Sequence, residues 1–337
     1  MLTITLYTRK EHPSSAKAKA DLESLQGKFS HRLVEVNVDS DPALQKKFGA
    51  DAPVMEVGPY SLKSPFDKQK MMMTIGAAND RRGQLNKLGR EDHYDRVKRG
   101  QEITGSDRVM YWFSKHYLAL LNFVMLLYFG LPLLAPVLMN AGLKAPANII
   151  YTIYKPLCHQ FGFRSFFLFG EQAYYPTEAA GISGVKTFEQ ATGIDDVYNP
   201  TGFARLDARN YVGNETVGYK MALCERDMAI YASIFFFGLI YAATGRRLKP
   251  LHWLAWILIG MAPIGLDGFS QLFSQMEWSW LVSLLPYRES TPILRVLTGS
   301  LFGFATAWFA YPYMEESMAE SRQFFIKKFA SISQNKS

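Results

Sequence analysis

The chain has 337 residues, 37 Lys and Arg against 30 Asp and Glu, a formal net charge of +7 and two cysteines. Two cysteines exclude a disulfide framework and any cysteine-rich zinc fold, and a mean hydropathy of −0.05 conceals apolar runs that are spread unevenly along the chain. The positive charge would suit nucleic acid or an anionic membrane surface, so the placement of the basic residues has to decide between them.

In chain order, residues 2–7 and 32–38 are rich in β-formers, and residues 13–26 between them carry Ala, Lys, Leu and Glu at helical spacing. A short helix at 42–48, strands at 52–57 and 60–62 and a helix from 65 to about 76 complete a β-α-β-α-β-β-α order within residues 1–79. The first residues lack a basic segment followed by an apolar run, so no cleavable signal is expected and the N-terminus is placed in the cytoplasm. Residues 80–115 are strongly charged, with Arg81, Arg82, Lys87, Arg90, Arg96, Lys98, Arg99 and Arg108, and read as a cytoplasmic linker or an amphipathic surface segment.

Four apolar stretches follow, at 117–139, 228–244, 251–272 and 291–313, each long enough for a hydrocarbon core of about 30 Å. The second reaches full length if its helix starts within 222–227. Residues 281–285, with Trp278, Trp280 and Tyr287 beside them, are too few to span and read as an interfacial segment. Arg246, Arg247 and Lys249 sit in the turn between the second and third stretches, and Arg322, Lys327 and Lys328 follow the fourth. Basic residues mark the cytoplasmic side, so both termini are expected there. Residues 116–314 form a four-helix membrane domain and residues 315–337 a basic tail. The basic excess is distributed as topology requires, which favours membrane lipid over nucleic acid as partner.

The segment Tyr7-Thr8-Arg9-Lys10-Glu11-His12-Pro13-Ser14-Ser15, followed by Ala52-Pro53-Val54 before a strand, resembles the glutaredoxin-like branch of the thioredoxin fold. That resemblance implies a cis proline at Pro53, and a pair of cysteines where this chain has His12 and Ser15. No cysteine occurs before residue 158, so thiol–disulfide exchange in this domain is excluded on chemical grounds. What remains is either a docking module around His12 and Pro53 or a retained fold in which His12 and Ser15 cap a helix. The expected fold is thus an α/β thioredoxin-like domain followed by an all-α polytopic membrane domain.

Four polar elements punctuate the second half. They are Pro156-Leu157-Cys158-His159-Gln160 with Arg164-Ser165-Phe166, Cys224-Glu225-Arg226-Asp227, Asp267-Gly268-Phe269-Ser270-Gln271, and Arg288-Glu289-Ser290 with Arg295. Together, over residues 150–313, they resemble an uncharacterised family of predicted bacterial membrane proteins, a domain of unknown function. Asp227 stands where that family has a second cysteine, and a polar insertion at about 170–221 separates the first two elements. The insertion carries Tyr174, Tyr175, Tyr198 and Tyr211 and reads as an outward loop suited to a protein partner or simply solvated.

Cys158, His159, Cys224 and Asp227 are candidate ligands of a transition metal such as zinc. A Cys158–Cys224 disulfide and two buried free thiols are the competing readings. Asp267 close to a bilayer requires a partner, expected to be Arg288 or Arg295, either as an ion pair locking two helices or as part of a ligand site with Arg164 and Arg226. Gly299 and Gly303 make a small-residue face for close helix packing. The resulting functional expectation is an accessory or binding protein of the bacterial cytoplasmic membrane, a subunit or adapter of a larger complex. The alternatives are a membrane enzyme with a metal or thiol site at the outer face, and a small-anion transporter.

Overall fold

The computed structural model describes residues 2–9, 12–87, 102–198, 203–276 and 287–333. The chain divides into two compact units, one made of Met1–His116 with Glu316–Ser337 and the other of Tyr117–Glu315.

In the first unit β1 (Leu2–Thr8), α1 (Pro13–Ser24), β2 (His31–Asn37), α2 (Pro42–Phe48), β3 (Val54–Val57), β4 (Tyr60–Lys63) and α3 (Lys68–Lys87) follow the expected order. The sheet runs β2-β1-β3-β4, with β1 parallel to β2 (Ile4 opposite Leu33) and antiparallel to β3 (Ile4 opposite Val57). Two-residue alternation divides the strands between two cores. Leu2, Ile4, Leu6, Met55 and Val57 face Ala18 and Leu22 of α1 and Met71 and Ile75 of α3, while Tyr7, Val34, Val36 and Val54 face Leu44 and Phe48 of α2. Pro13 opens α1 at its first turn, and the Asp41 carboxylate caps α2 by accepting from the amides of Ala43 and Leu44. The Ala52–Pro53 peptide is cis.

Two boundaries differ from the sequence reading. Within the segment read as a linker, residues 80–87 continue α3 and residues from Gly105 onward already belong to the first long helix, Gly105–Asn140; the remainder lies outside the described residues. The segment read as a basic tail is helical to Ser333 and belongs to the first unit, where Ile326 and Ala330 pack against the α2 side of the sheet. Its apolar stripe explains the difference: Phe325 and Ile332 are buried on it, and Arg322 ion-pairs with Asp41 at 3.0 Å.

Four helices are long and apolar enough to cross a membrane: Gly105–Asn140, Glu225–Ala243, Trp253–Ser274 and Pro292–Ser333, called the first to fourth spans here. Their outward faces are apolar, with Leu258, Leu266, Ile293 and Phe269 all more than 60% exposed, a pattern that water would penalise and lipid accepts. Trp256–Met261 within the third span is π-helical, just before Pro263, which has no amide hydrogen to donate. The interfacial reading of residues 281–285, Trp278 and Trp280 falls outside the described residues.

The second and fourth spans touch through glycine. A Cβ on Gly303 would meet the Ile230 carbonyl oxygen at 2.3 Å, and one on Gly299 the Arg226 carbonyl oxygen at 2.7 Å. Gly303→Ala is therefore expected to push the spans apart at a cost of about 1–3 kcal/mol. Gly265→Ala, which would meet only the Phe269 ring at 4.0 Å, is expected to leave the thermal midpoint in detergent unchanged. Equal midpoints for the two variants would contradict this packing.

The second unit is not entirely helical. Phe167–Leu168 (β5), Gly213–Asn214 (β6) and Gly218–Lys220 (β7) make a small sheet in the order β5-β7-β6, set over a core of Phe163, Phe167, Tyr175, Phe188, Val197 and Ala208. Tyr175 is fully buried, and Tyr198 and Tyr211 pack on that core. These three tyrosines therefore build the core of the lobe.

Candidate functional site

The polar elements of the second half converge at one end of the helical bundle. After the helix Lys144–Tyr154 the chain turns, and the amide of Cys158 donates to the Tyr154 carbonyl at 3.0 Å. Gln160 follows at a positive φ of 54°. Its buried amide donates to the carbonyls of Tyr151 (3.0 Å) and Ala222 (2.9 Å), and the Lys220 ammonium donates to the Gln160 carbonyl at 2.7 Å and to that of Arg209. Gln160 and Lys220 together fasten the 158 turn to the strand that leads into the second span. Cys158 consequently packs in one cluster with Ala222, Leu223 and Cys224, although 66 residues separate the two cysteines.

Cys224 is the N-cap residue of the second span and Asp227 lies in its first turn. The sulfurs of Cys158 and Cys224 and a carboxylate oxygen of Asp227 all lie within 4.8 Å of one another. Both cysteines are free thiols. A hydrogen bond from the Cys224 thiol, helped by the Gln160 backbone N–H, holds the Cys158 thiol below its ordinary range; the same pairing, with burial, pushes Cys224 well up.

His159 does not join this set. The 158–160 segment is irregular chain, not helix, and the His159 ring turns to stack on Phe161, 5.5 Å between centroids. It lines the rim of a cavity of about 300 Å³ that Cys158, Cys224, Asp227, Arg164 and Arg226 also line.

Beside the thiols is a buried ion-pair network. Glu289, 1% exposed, accepts both arms of Arg164 (2.8 and 3.0 Å), the Arg295 guanidinium, and the amides of Gln271 (3.0 Å) and Gln275 (3.1 Å). Arg295 also reaches Glu225 at 3.1 Å. Asp267, 2% exposed, binds Arg226, Arg288 at 2.7 Å and the Ser290 hydroxyl at 2.7 Å. Asp267 thus pairs with Arg288 as expected, but Arg295 serves Glu225 and Glu289, and Arg226 takes its place. Sequence reasoning named the arginines and overlooked both glutamates. The signal was present, since each glutamate adjoins a residue already singled out, but nothing local tells which acid a distant arginine will meet.

In the first unit, the His12 side chain makes no capping hydrogen bond to α1, and the buried Ser15 hydroxyl has no partner among the described residues. The capping reading of these two positions is therefore not what the structure contains.

Residues 3–76 match the family model described as Glutaredoxin-like domain (DUF836), and residues 215–309 match that described as Predicted membrane protein (DUF2085). The chain is a membrane protein with a thioredoxin-like domain. The second match begins after the Cys158 element, so it covers Cys224, Asp227, Asp267, Glu289 and Arg295 and leaves out Cys158, His159 and Arg164. Neither the curated proteins nor the solved structures include a match to this chain.

Burial lowers the Lys220 ammonium from its ordinary 10.5 to about 7. A base whose folded value lies below its unfolded value leaves the unfolded chain holding more protons between the two, so stability rises with pH across that window. The thermal midpoint in detergent is expected to climb between about pH 7 and pH 10. Lys220→Met should abolish most of that climb; an unchanged profile in the variant would show that another group carries it.

Proposed function

We propose that this chain is an accessory component of a larger assembly in the bacterial cytoplasmic membrane, with both termini cytoplasmic, a redox-silent thioredoxin-like domain for docking and a polar site at the outer face. The observation that carries this reading is the retention of the four-stranded sheet and its helices in a domain that has His12 and Ser15 where the resemblance implies cysteines. Such a domain keeps a binding shape and has no thiol chemistry left. The arginine network supports the same reading, because Glu289, Asp267 and Glu225 each hold an arginine partner and so brace the helices instead of offering an open path for an ion. Orientation is supported by Tyr117 and Arg246, which both reach Glu315, at the end of the bundle opposite the cysteines and beside the basic turn of Arg246, Arg247 and Lys249.

The test is extraction from the native membrane in a mild detergent, native separation, and mass spectrometry of the co-migrating chains. Stoichiometric partner chains are expected. Migration of the chain alone at its own mass would overturn the accessory reading. A second reading, a membrane enzyme, is favoured by one feature, the solvent cavity that opens onto the two thiols and Asp227.

A further inference from the structure

We propose that Cys158, Cys224 and Asp227 form a binding site for a divalent transition-metal ion of the zinc class, with the remaining coordination position open to the adjoining cavity. This goes beyond the accessory role and does not depend on it. The argument begins with Asp227. Of the four acids gathered at this end of the bundle, Glu225, Asp267 and Glu289 each hold an arginine. Asp227 forms no ion pair and accepts no side-chain hydrogen bond among the described residues, although Arg226 precedes it in the chain; that arginine is committed to Asp267. The Asp227 carboxylate faces two thiols instead, and a carboxylate among sulfurs at a membrane boundary calls for a cation.

The donor set and its spacing suit zinc. Two thiolates and one carboxylate satisfy a borderline divalent ion, whereas a softer monovalent ion would prefer sulfur alone. A tetrahedral zinc with Zn–S of about 2.3 Å and Zn–O of about 2.0 Å holds its donor atoms roughly 3.5–3.8 Å apart. The three donors already lie within 4.8 Å of one another, so closure of about 1 Å by side-chain rotation is enough. The Gln160 backbone amide donates to the Cys158 sulfur at 3.5 Å, and Asp227 lies in the first turn of a 19-residue helix, whose free amides favour negative charge. Gln160 and Lys220 hold the 158 turn in register, so the site is built by packing before any ion arrives. Three protein ligands and an open fourth position form the arrangement in which zinc binds an exogenous group.

The experiment uses the full chain in mild detergent, reduced, stripped with a chelator, and titrated with zinc chloride against a chromophoric competitor, and in parallel with cobalt(II) for its thiolate charge-transfer band. One ion per chain with that band is expected. Cys224→Ser is expected to weaken zinc by more than about 100-fold and Asp227→Asn by at least 10-fold, while His159→Ala, at the cavity rim, stays near the wild-type value. Because a cysteine variant could misfold, a second readout uses the wild-type chain alone: zinc should protect Cys158 and Cys224 together from alkylation. Absence of zinc binding by the reduced chain, a loss with His159→Ala equal to that with Asp227→Asn, or a Cys158–Cys224 disulfide in chains whose thiols are trapped at extraction would each overturn the proposal.

Discussion

Arg295→Met is expected to lower the thermal midpoint of the detergent-solubilised chain by about 10 °C, the largest effect of any single change in the membrane unit. Arg295 is 3% exposed and serves two carboxylates, Glu225 and Glu289, that are themselves buried. Removing it strands Glu225 altogether, since that residue's other oxygen has no partner among the described residues, and leaves Glu289 to Arg164 and two glutamines. Breaking a buried pair from one side costs about 3–5 kcal/mol, because the remaining charge keeps its desolvation penalty without compensation. Arg288→Met makes a suitable comparison, for its side chain is 34% exposed and Asp267 retains Arg226 and Ser290. A smaller loss is expected there, and a reversed order of the two variants would show that the network is not what braces the fourth span.

Arg322→Ala is expected to destabilise the thioredoxin-like unit by about 3 kcal/mol, read as faster hydrogen exchange of the β1 and β3 amides in the full chain. The guanidinium is 7% exposed; it donates to Asp41 at 3.0 Å and to the Ser114 carbonyl at 2.9 Å. Asp41 in turn caps α2, whose Leu44 and Phe48 fill one side of the sheet, so the loss passes from a charge to a helix start and then to a core. Lys327→Ala tests whether any basic residue of the segment would do. Its ion pair with Glu56 is at 2.9 Å but 41% exposed on the lysine side, and solvent reduces such a pair to about 0.5 kcal/mol or less. Equal exchange in the two variants would return residues 316–333 to the status of a tail.

Several features were readable from residues in order, because each depends on neighbours only a few positions away. Two-residue and helical periods placed the strands and helices of residues 2–76, run length placed the four spans, and the residue types at positions 12 and 15 excluded thiol exchange whatever the fold. The proximity of Gly299 and Gly303 to a neighbouring helix was likewise implied by their spacing. Tertiary structure alone decided the pairings. Local pattern marks Arg295, Glu225 and Glu289 as costly to bury without saying which will meet, and it read residues 316–333 as basic when their apolar stripe had a sheet to cover. Cys158 and Cys224 come together only because Gln160 and Lys220 fold a turn onto a strand, and His159, beside Cys158 in sequence, turns away to Phe161. Chain order specifies the chemistry available at each position; which groups meet depends on packing across tens to hundreds of residues, and no local period carries that information.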